Sequence, residues 1–83
     1  MQVTIDGKEY EARPVKAGEF FDLQESKETD REFTRALMAM SVYKDGKKAF
    51  SEAEIDDLDL PSWQLLERAV GKANKPPEDT SKN

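Results

Sequence analysis

Residues 29–42 read TDREFTRALMAMSV, and this stretch decides the fold. Thr29 and Glu32 have the spacing of a capping box, in which each side chain satisfies a free backbone N–H group at a helix start. Behind them, apolar residues recur at i, i+3, i+4 and i+7, which predicts one continuous stripe along a helix. The stripe comprises Phe33, Ala36, Leu37 and Met40. We expect Met40 to lie in the core.

Two apolar residues, Met38 and Val42, lie off that stripe, so the helix is expected to be apolar on two sides. Methionine is an adaptable side chain that partner-binding surfaces use often. The sequence does not decide whether Met38 and Val42 pack in the core or contact a partner. The candidate partner-binding residues are Met38, Val42, Tyr43, Phe21 and Trp63.

The segment before this helix predicts a β-hairpin and a short helix. Alternating apolar residues flank Asp6-Gly7, a pair typical of a type I′ turn. We expect strands at 2–5 and 8–13, ended by Pro14, which cannot donate to a strand ladder. Residues 15–26 suit a short helix in which Phe20 and Phe21 are adjacent. One of these rings is expected in the core and the other at the surface.

The segment after the helix predicts a turn, two more helices and a tail. Lys44-Asp45-Gly46-Lys47 is expected to form an irregular connection with at most a brief strand pair. Ser51 and Glu54 repeat the capping-box spacing, which predicts an acidic helix over 52–57. The last helix follows Pro61 and ends near Lys72. Its apolar stripe comprises Trp63, Leu66, Val70 and Ala73.

These elements predict a single α+β domain over residues 1–73 that is mainly α-helical. A short N-terminal hairpin packs on three or four helices. Residues 74–83 contain Pro76-Pro77 followed by polar residues only, which predicts a flexible tail.

Composition narrows the classes of function. The 83-residue chain has no histidine, no cysteine and a net charge of −5. Phosphate-rich nucleic acids and anionic membranes attract basic surfaces, so neither is the expected partner. Without cysteine or histidine, thiol chemistry and the usual neutral-pH general base are missing. We expect no enzyme activity, no cofactor and a cytoplasmic location.

The acidic residues between 52 and 59 raise the question of a cation site. The closest comparison is an EF-hand loop in which Gly46 is sixth and Glu52 twelfth. The comparison fails because Tyr43 stands where a carboxylate is needed and Lys48 replaces the apolar eighth residue. The residues fit better a solvated helix face whose acids favour its N-terminal end. An electrostatic patch for a basic partner stays open.

The order of motifs resembles the short tail assembly chaperones of tailed bacteriophages and prophages. The resemblance is carried by residues 3–13 (VTIDGKEYEAR), residues 20–25 (FFDLQE), and Leu60-Pro61 before the final helix. It implies a helical, non-catalytic protein that binds the tape measure protein and the tail tube protein during tail assembly. A homo-oligomer is compatible with this role. The alternatives are a small structural virion protein, in the tail or connector, and an acidic adaptor or inhibitor of a host protein.

Overall fold

A computed structural model of the chain describes residues 1–76. The described part is an α+β structure, mainly helical, as the sequence predicts. Its elements in chain order are β1 (Gln2–Ile5), β2 (Lys8–Ala12), α1 (Ala17–Ser26), α2 (Asp30–Ser41), β3 (Val42–Lys44), β4 (Lys47–Lys48), α3 (Glu52–Asp56) and α4 (Leu60–Ala73).

The strands form one antiparallel sheet in the order β1-β2-β3-β4. Each hairpin turns on an Asp-Gly pair with positive φ at both residues: 52° and 78° at Asp6 and Gly7, 54° and 80° at Asp45 and Gly46. This is the type I′ signature, so the predicted N-terminal hairpin is confirmed. The connection after α2 is also a short hairpin. This agrees with the expectation of at most a brief strand pair at that point.

The pairing of β2 with β3 is not predicted by the sequence. It aligns Glu11 with Tyr43 and Ala12 with Val42, residues about thirty positions apart along the chain. This pairing joins the two hairpins into one sheet. Because α2 runs directly into β3, it also fixes the C-terminal end of α2 against the N-terminal hairpin.

Side chains cap three of the helices. Thr29 Oγ1 accepts a hydrogen bond from the backbone N–H of Glu32 at 3.1 Å, but the Glu32 carboxylate accepts from the N–H of Glu28, so only half of that predicted box forms. The predicted box of Ser51 and Glu54 is complete. Asp59 caps α4, accepting from the backbone N–H of Ser62 at 2.8 Å.

The packing of α2 differs from the expectation that Met40 lies in the core. Met38 and Val42 are completely buried, together with Ile55 and Leu66, whereas Met40 is only half-buried. The physical reason is that α4, α3 and the sheet pack on the side of Met38. The opposite side, which includes Met40, is covered by α1, a ten-residue helix with no buried residue of its own.

The C-terminal boundary lies beyond the predicted one. Asn74 forms the C-cap of α4, and its side chain hydrogen-bonds to Val15 and Val70 inside the folded part. It therefore belongs to the domain and not to the predicted tail. Residues 77–83 of that predicted tail lie outside the described residues.

Candidate protein-binding cleft

An open depression with a mainly apolar lining lies between α2, α3 and α4. It is a cleft of about 370 Å³ with an apolar floor and one charged wall. Apolar side chains from α3, the α3–α4 turn and the start of α4 form the floor: Ile55, Leu58, Leu60 and Trp63. The wall consists of Arg31 and Arg35 from α2 and Asp56 from α3.

Local sequence explains the shape of the floor. The box of Ser51 and Glu54 begins α3, and the cap at Asp59 begins α4 only three residues after α3 ends. This tight connection turns Ile55 inward, where it is fully buried, and leaves Leu60 in the first turn of α4 with 63% of its surface exposed. A leucine this exposed beside a half-buried tryptophan is apolar surface available for contact.

The charged wall belongs to a four-residue ion-pair network that also includes Glu52. Arg35 Nη1 donates to Asp56 Oδ2 at 2.7 Å, and Arg31 Nη2 lies 3.5 Å from the same oxygen. Arg35 Nε lies 3.6 Å from Glu52 Oε1, beyond hydrogen-bond distance. This Nε is buried and has no hydrogen-bond partner among the described residues. The arrangement holds Arg35 against α3 and leaves the Arg31 side chain 79% exposed at the rim.

The network also shifts the ionisation of its members. The hydrogen bond from Arg35 holds the pKa of Asp56 below its ordinary value, and the nearby charge of Arg31 adds to the effect. The same bond raises the pKa of Arg35. Asp59 also has a lowered pKa, because its carboxylate accepts the N–H of Ser62. Near neutral pH these carboxylates are fully charged, so they serve as ion-pair and capping groups.

The structure decides between the two roles left open for the candidates Met38 and Val42. Both side chains have no accessible surface, so they pack in the core and present no contact face in this conformation. The reason is the β2–β3 pairing, which places Val42 beside Ala12 beneath α4. The apolar periodicity of α2 alone cannot predict this contact, because the contact involves residues about thirty positions away in the chain.

The structure scatters the other three candidates. Tyr43 is half-buried on β3, with the guanidinium of Arg13 stacked 4.4 Å above its ring centre. Phe21 lies on α1, 56% exposed, and its ring meets Phe20 edge to face at 5.7 Å. Trp63 lies in the cleft. Of the five, Trp63 is therefore the residue that takes part in this site.

Sequence reasoning missed Leu60, Arg31 and Arg35. Leu60 lies three residues before Trp63, a spacing that places both on one face of a helix. Arg31 and Arg35 are separated by four residues, which likewise puts them on one helix face. The spacing within each pair therefore indicated a shared helix face. Only the structure, in which α3 packs on α2, shows that the Leu60–Trp63 face of α4 and the Arg31–Arg35 face of α2 line the same cleft.

The acidic residues do not assemble into a cation site in the described part. Within residues 1–76, no group of three or more acidic side chains is placed to hold a metal ion. Asp45 lies in the second hairpin turn, where its carboxylate accepts from Lys44 Nζ at 3.2 Å.

Among the described helices, none has both the length and the apolar character needed to cross a membrane. Comparison with known proteins identifies no relative: no family model, curated protein or solved structure matches the chain.

Proposed function

We propose that this chain is a non-catalytic protein-binding subunit, and specifically a tail assembly chaperone of a tailed bacteriophage or prophage. Its clients would be the tape measure and tail tube proteins, in the cytoplasm of the bacterial host. The resemblance of the N-terminal hairpin and of the Leu60-Pro61 segment supports the specific assignment. The exposed apolar floor of the cleft supports the binding role.

The observation that carries the proposal is Leu60 standing exposed beside Trp63. A protein that keeps an apolar client in solution needs apolar surface of its own on a body that stays soluble. The cleft supplies that surface, and a net charge of −5 opposes self-association of the chain. The binding surface is therefore the cleft, in place of the buried residues Met38 and Val42.

The genetic neighbourhood is the first test. We expect a long, helix-rich tape measure gene directly downstream of this one. A locus without tail genes would contradict the chaperone assignment and leave a small acidic interaction domain. Abundant chain in purified virions would contradict it in a different way, since it would indicate a structural subunit.

The second test is co-expression with that tape measure protein. We expect the wild-type chain to raise the soluble fraction of the client several-fold, and Leu60→Asp to remove this gain. Leu65→Asp is the matched control, because Leu65 is also exposed on α4, at 42%, but lies outside the cleft. Equal loss in both variants, or no gain with the wild type, would contradict the proposal.

A further inference from the structure

We infer that the cleft accepts a helical segment of the partner that presents apolar side chains to Leu60 and Trp63 and an acidic side chain to Arg31. The inference rests on the proposed protein-binding function and adds the chemistry of the partner. It is carried by the shape of the walls, the exposure of the floor and the charge of the rim.

The walls favour a helix over an extended strand. Helices α2, α3 and α4 and the turn between α3 and α4 line the cleft, and no strand of the described sheet borders it. A strand needs free N–H and C=O groups on an exposed sheet edge, as in strand addition. A helix satisfies its own backbone groups and binds through side chains one turn apart. The cleft volume of about 370 Å³ suits a few side chains of that kind.

The floor sets where the apolar side chains bind. Leu60 is 63% exposed and Trp63 is half-buried, one helical turn further along α4. Ile55 lies beneath them, fully buried. The exposed row therefore runs along the first turn of α4, which predicts two apolar anchors from the partner at i and i+3 or i+4.

The rim sets the charge of the partner. Three charged residues line the cleft, and two of them are arginines that share a single carboxylate oxygen of Asp56. Arg35 takes the short contact at 2.7 Å, and its Nε lies 3.6 Å from Glu52, one helical turn before Asp56 on α3. Arg31 keeps only the longer contact of 3.5 Å and is the more exposed of the two. An incoming carboxylate can pair with Arg31 without breaking the Arg35–Asp56 bond.

Within the lining of the cleft the two arginines outnumber the single acid Asp56, although the chain as a whole is acidic. Glu52 lies outside the lining and pairs with Arg35, so Arg31 is the cation that an incoming carboxylate meets. The neighbouring depression, on the other side of Leu58, is lined by Asp57 and Asp59. A basic partner would be drawn to that depression, whereas an acidic helix is attracted at Arg31 and repelled beside it. Charge of both signs around an apolar floor fixes the register of the bound segment.

Trp63 is the single tryptophan of the chain, so its fluorescence reports occupation of the cleft. The probes are two synthetic helical peptides without tryptophan that share one leucine face. One carries glutamates beside that face and the other carries lysines. We expect the glutamate peptide to shift the emission of Trp63 to shorter wavelength and to bind the full-length chain more tightly at low ionic strength.

The charge-reversal variant Arg31→Glu gives the sharper result. Arg31 is largely exposed, so the fold should survive. We expect the variant to bind the glutamate peptide about fivefold more weakly and the lysine peptide more tightly. Arg68→Glu is the matched control, because it makes the same charge change on an exposed position of α4 outside the cleft. It should leave the preference for the glutamate peptide intact.

Three outcomes overturn the inference. The first is a lysine peptide that binds the wild type as tightly as the glutamate peptide does. The second is an equal effect of Arg31→Glu and Arg68→Glu, and the third is Trp63 emission that neither peptide changes. Sedimentation of the chain alone is the companion measurement, since a dimer dissociated by Leu60→Asp would show that a second copy fills the cleft. Loss of tape measure solubilisation in Leu60→Asp with no peptide preference would retain the proposed function and reject only the acidic partner.

Discussion

The side-chain carbonyl of Asn74 accepts a hydrogen bond from the backbone N–H of Val15 at 2.8 Å, across 59 positions of sequence. The amide nitrogen of Asn74 donates to the carbonyl of Val70 at 2.9 Å and to Ser41 Oγ at 3.4 Å. Ser41 Oγ in turn donates to the carbonyl of Arg13. Asn74 therefore ties together the end of α4, the end of α2 and the segment that leads from β2 into α1.

This relationship predicts a cost for removing the amide. Asn74→Ala leaves the partly buried N–H of Val15 without its acceptor, and a group of that kind costs about 1–3 kcal/mol when unsatisfied. We expect the free energy of unfolding to fall by that amount, measured by urea denaturation of the full chain. Lys75→Ala, one residue further on, is the control that should leave the midpoint unchanged.

Met38 and Met40 give a paired test of the core. Met38 is fully buried and Met40 is half-buried on the side of α2 that faces α1. Met38→Ala should cost about 2–5 kcal/mol, the range for truncating a buried methionine, and Met40→Ala clearly less. The comparison is made by thermal and urea unfolding. Equal costs would show that the two sides of α2 are packed alike, contrary to the structure.

Asp56 makes the domain sensitive to acid. Its pKa is lower in the folded chain because Arg35 donates to its carboxylate. A carboxyl of this kind stabilises the fold fully above its unfolded pKa, and that contribution is lost as pH falls through the folded pKa. We expect Asp56→Asn to be less stable than the wild type at neutral pH, with the difference shrinking from about pH 5 downward.

Urea unfolding at a series of pH values measures this convergence. Asp22→Asn, which changes an exposed carboxyl on α1, is the control for the loss of one negative charge. A constant difference between Asp56→Asn and the wild type across the acid range would mean that ionisation of Asp56 does not support the fold.

The parts of the fold that the sequence predicts are local. Asp6-Gly7, the box of Ser51 and Glu54, and the stripe of α4 each depend on residues within a few positions of one another. The register between β2 and β3 depends on residues thirty apart, which no periodicity encodes. That pairing decides which side of α2 is buried. Met38, whose position the sequence left open, is therefore in the core, and Met40, which was expected there, is only half-buried.

The candidate site was predictable to the same limited extent. Trp63 could be selected as a candidate because it is the single tryptophan and lies on the apolar stripe of the last helix, and it does line the cleft. Leu60 and Arg31 become site residues only because α3 packs on α2 through the Arg35–Asp56 bond. Solvent exposure of a leucine depends on what surrounds it, and the surroundings here come from three separate segments.

Helix α1 packs on the rest of the described structure without a buried residue of its own, and its dynamics give the last prediction. It contacts α2 through the ring of Phe20, which packs edge to face on the ring of Phe33 with 5.3 Å between the ring centres. Helices with few buried contacts open locally at a lower free energy than the global unfolding transition. We expect amide hydrogens of α1 to exchange faster than those of α2 and α4.

Phe20→Ala should accelerate exchange in α1 further while costing only about 1–2 kcal/mol of global stability. Phe21→Ala is the matched control, since that ring is exposed, and equal effects of the two changes would place the attachment of α1 elsewhere.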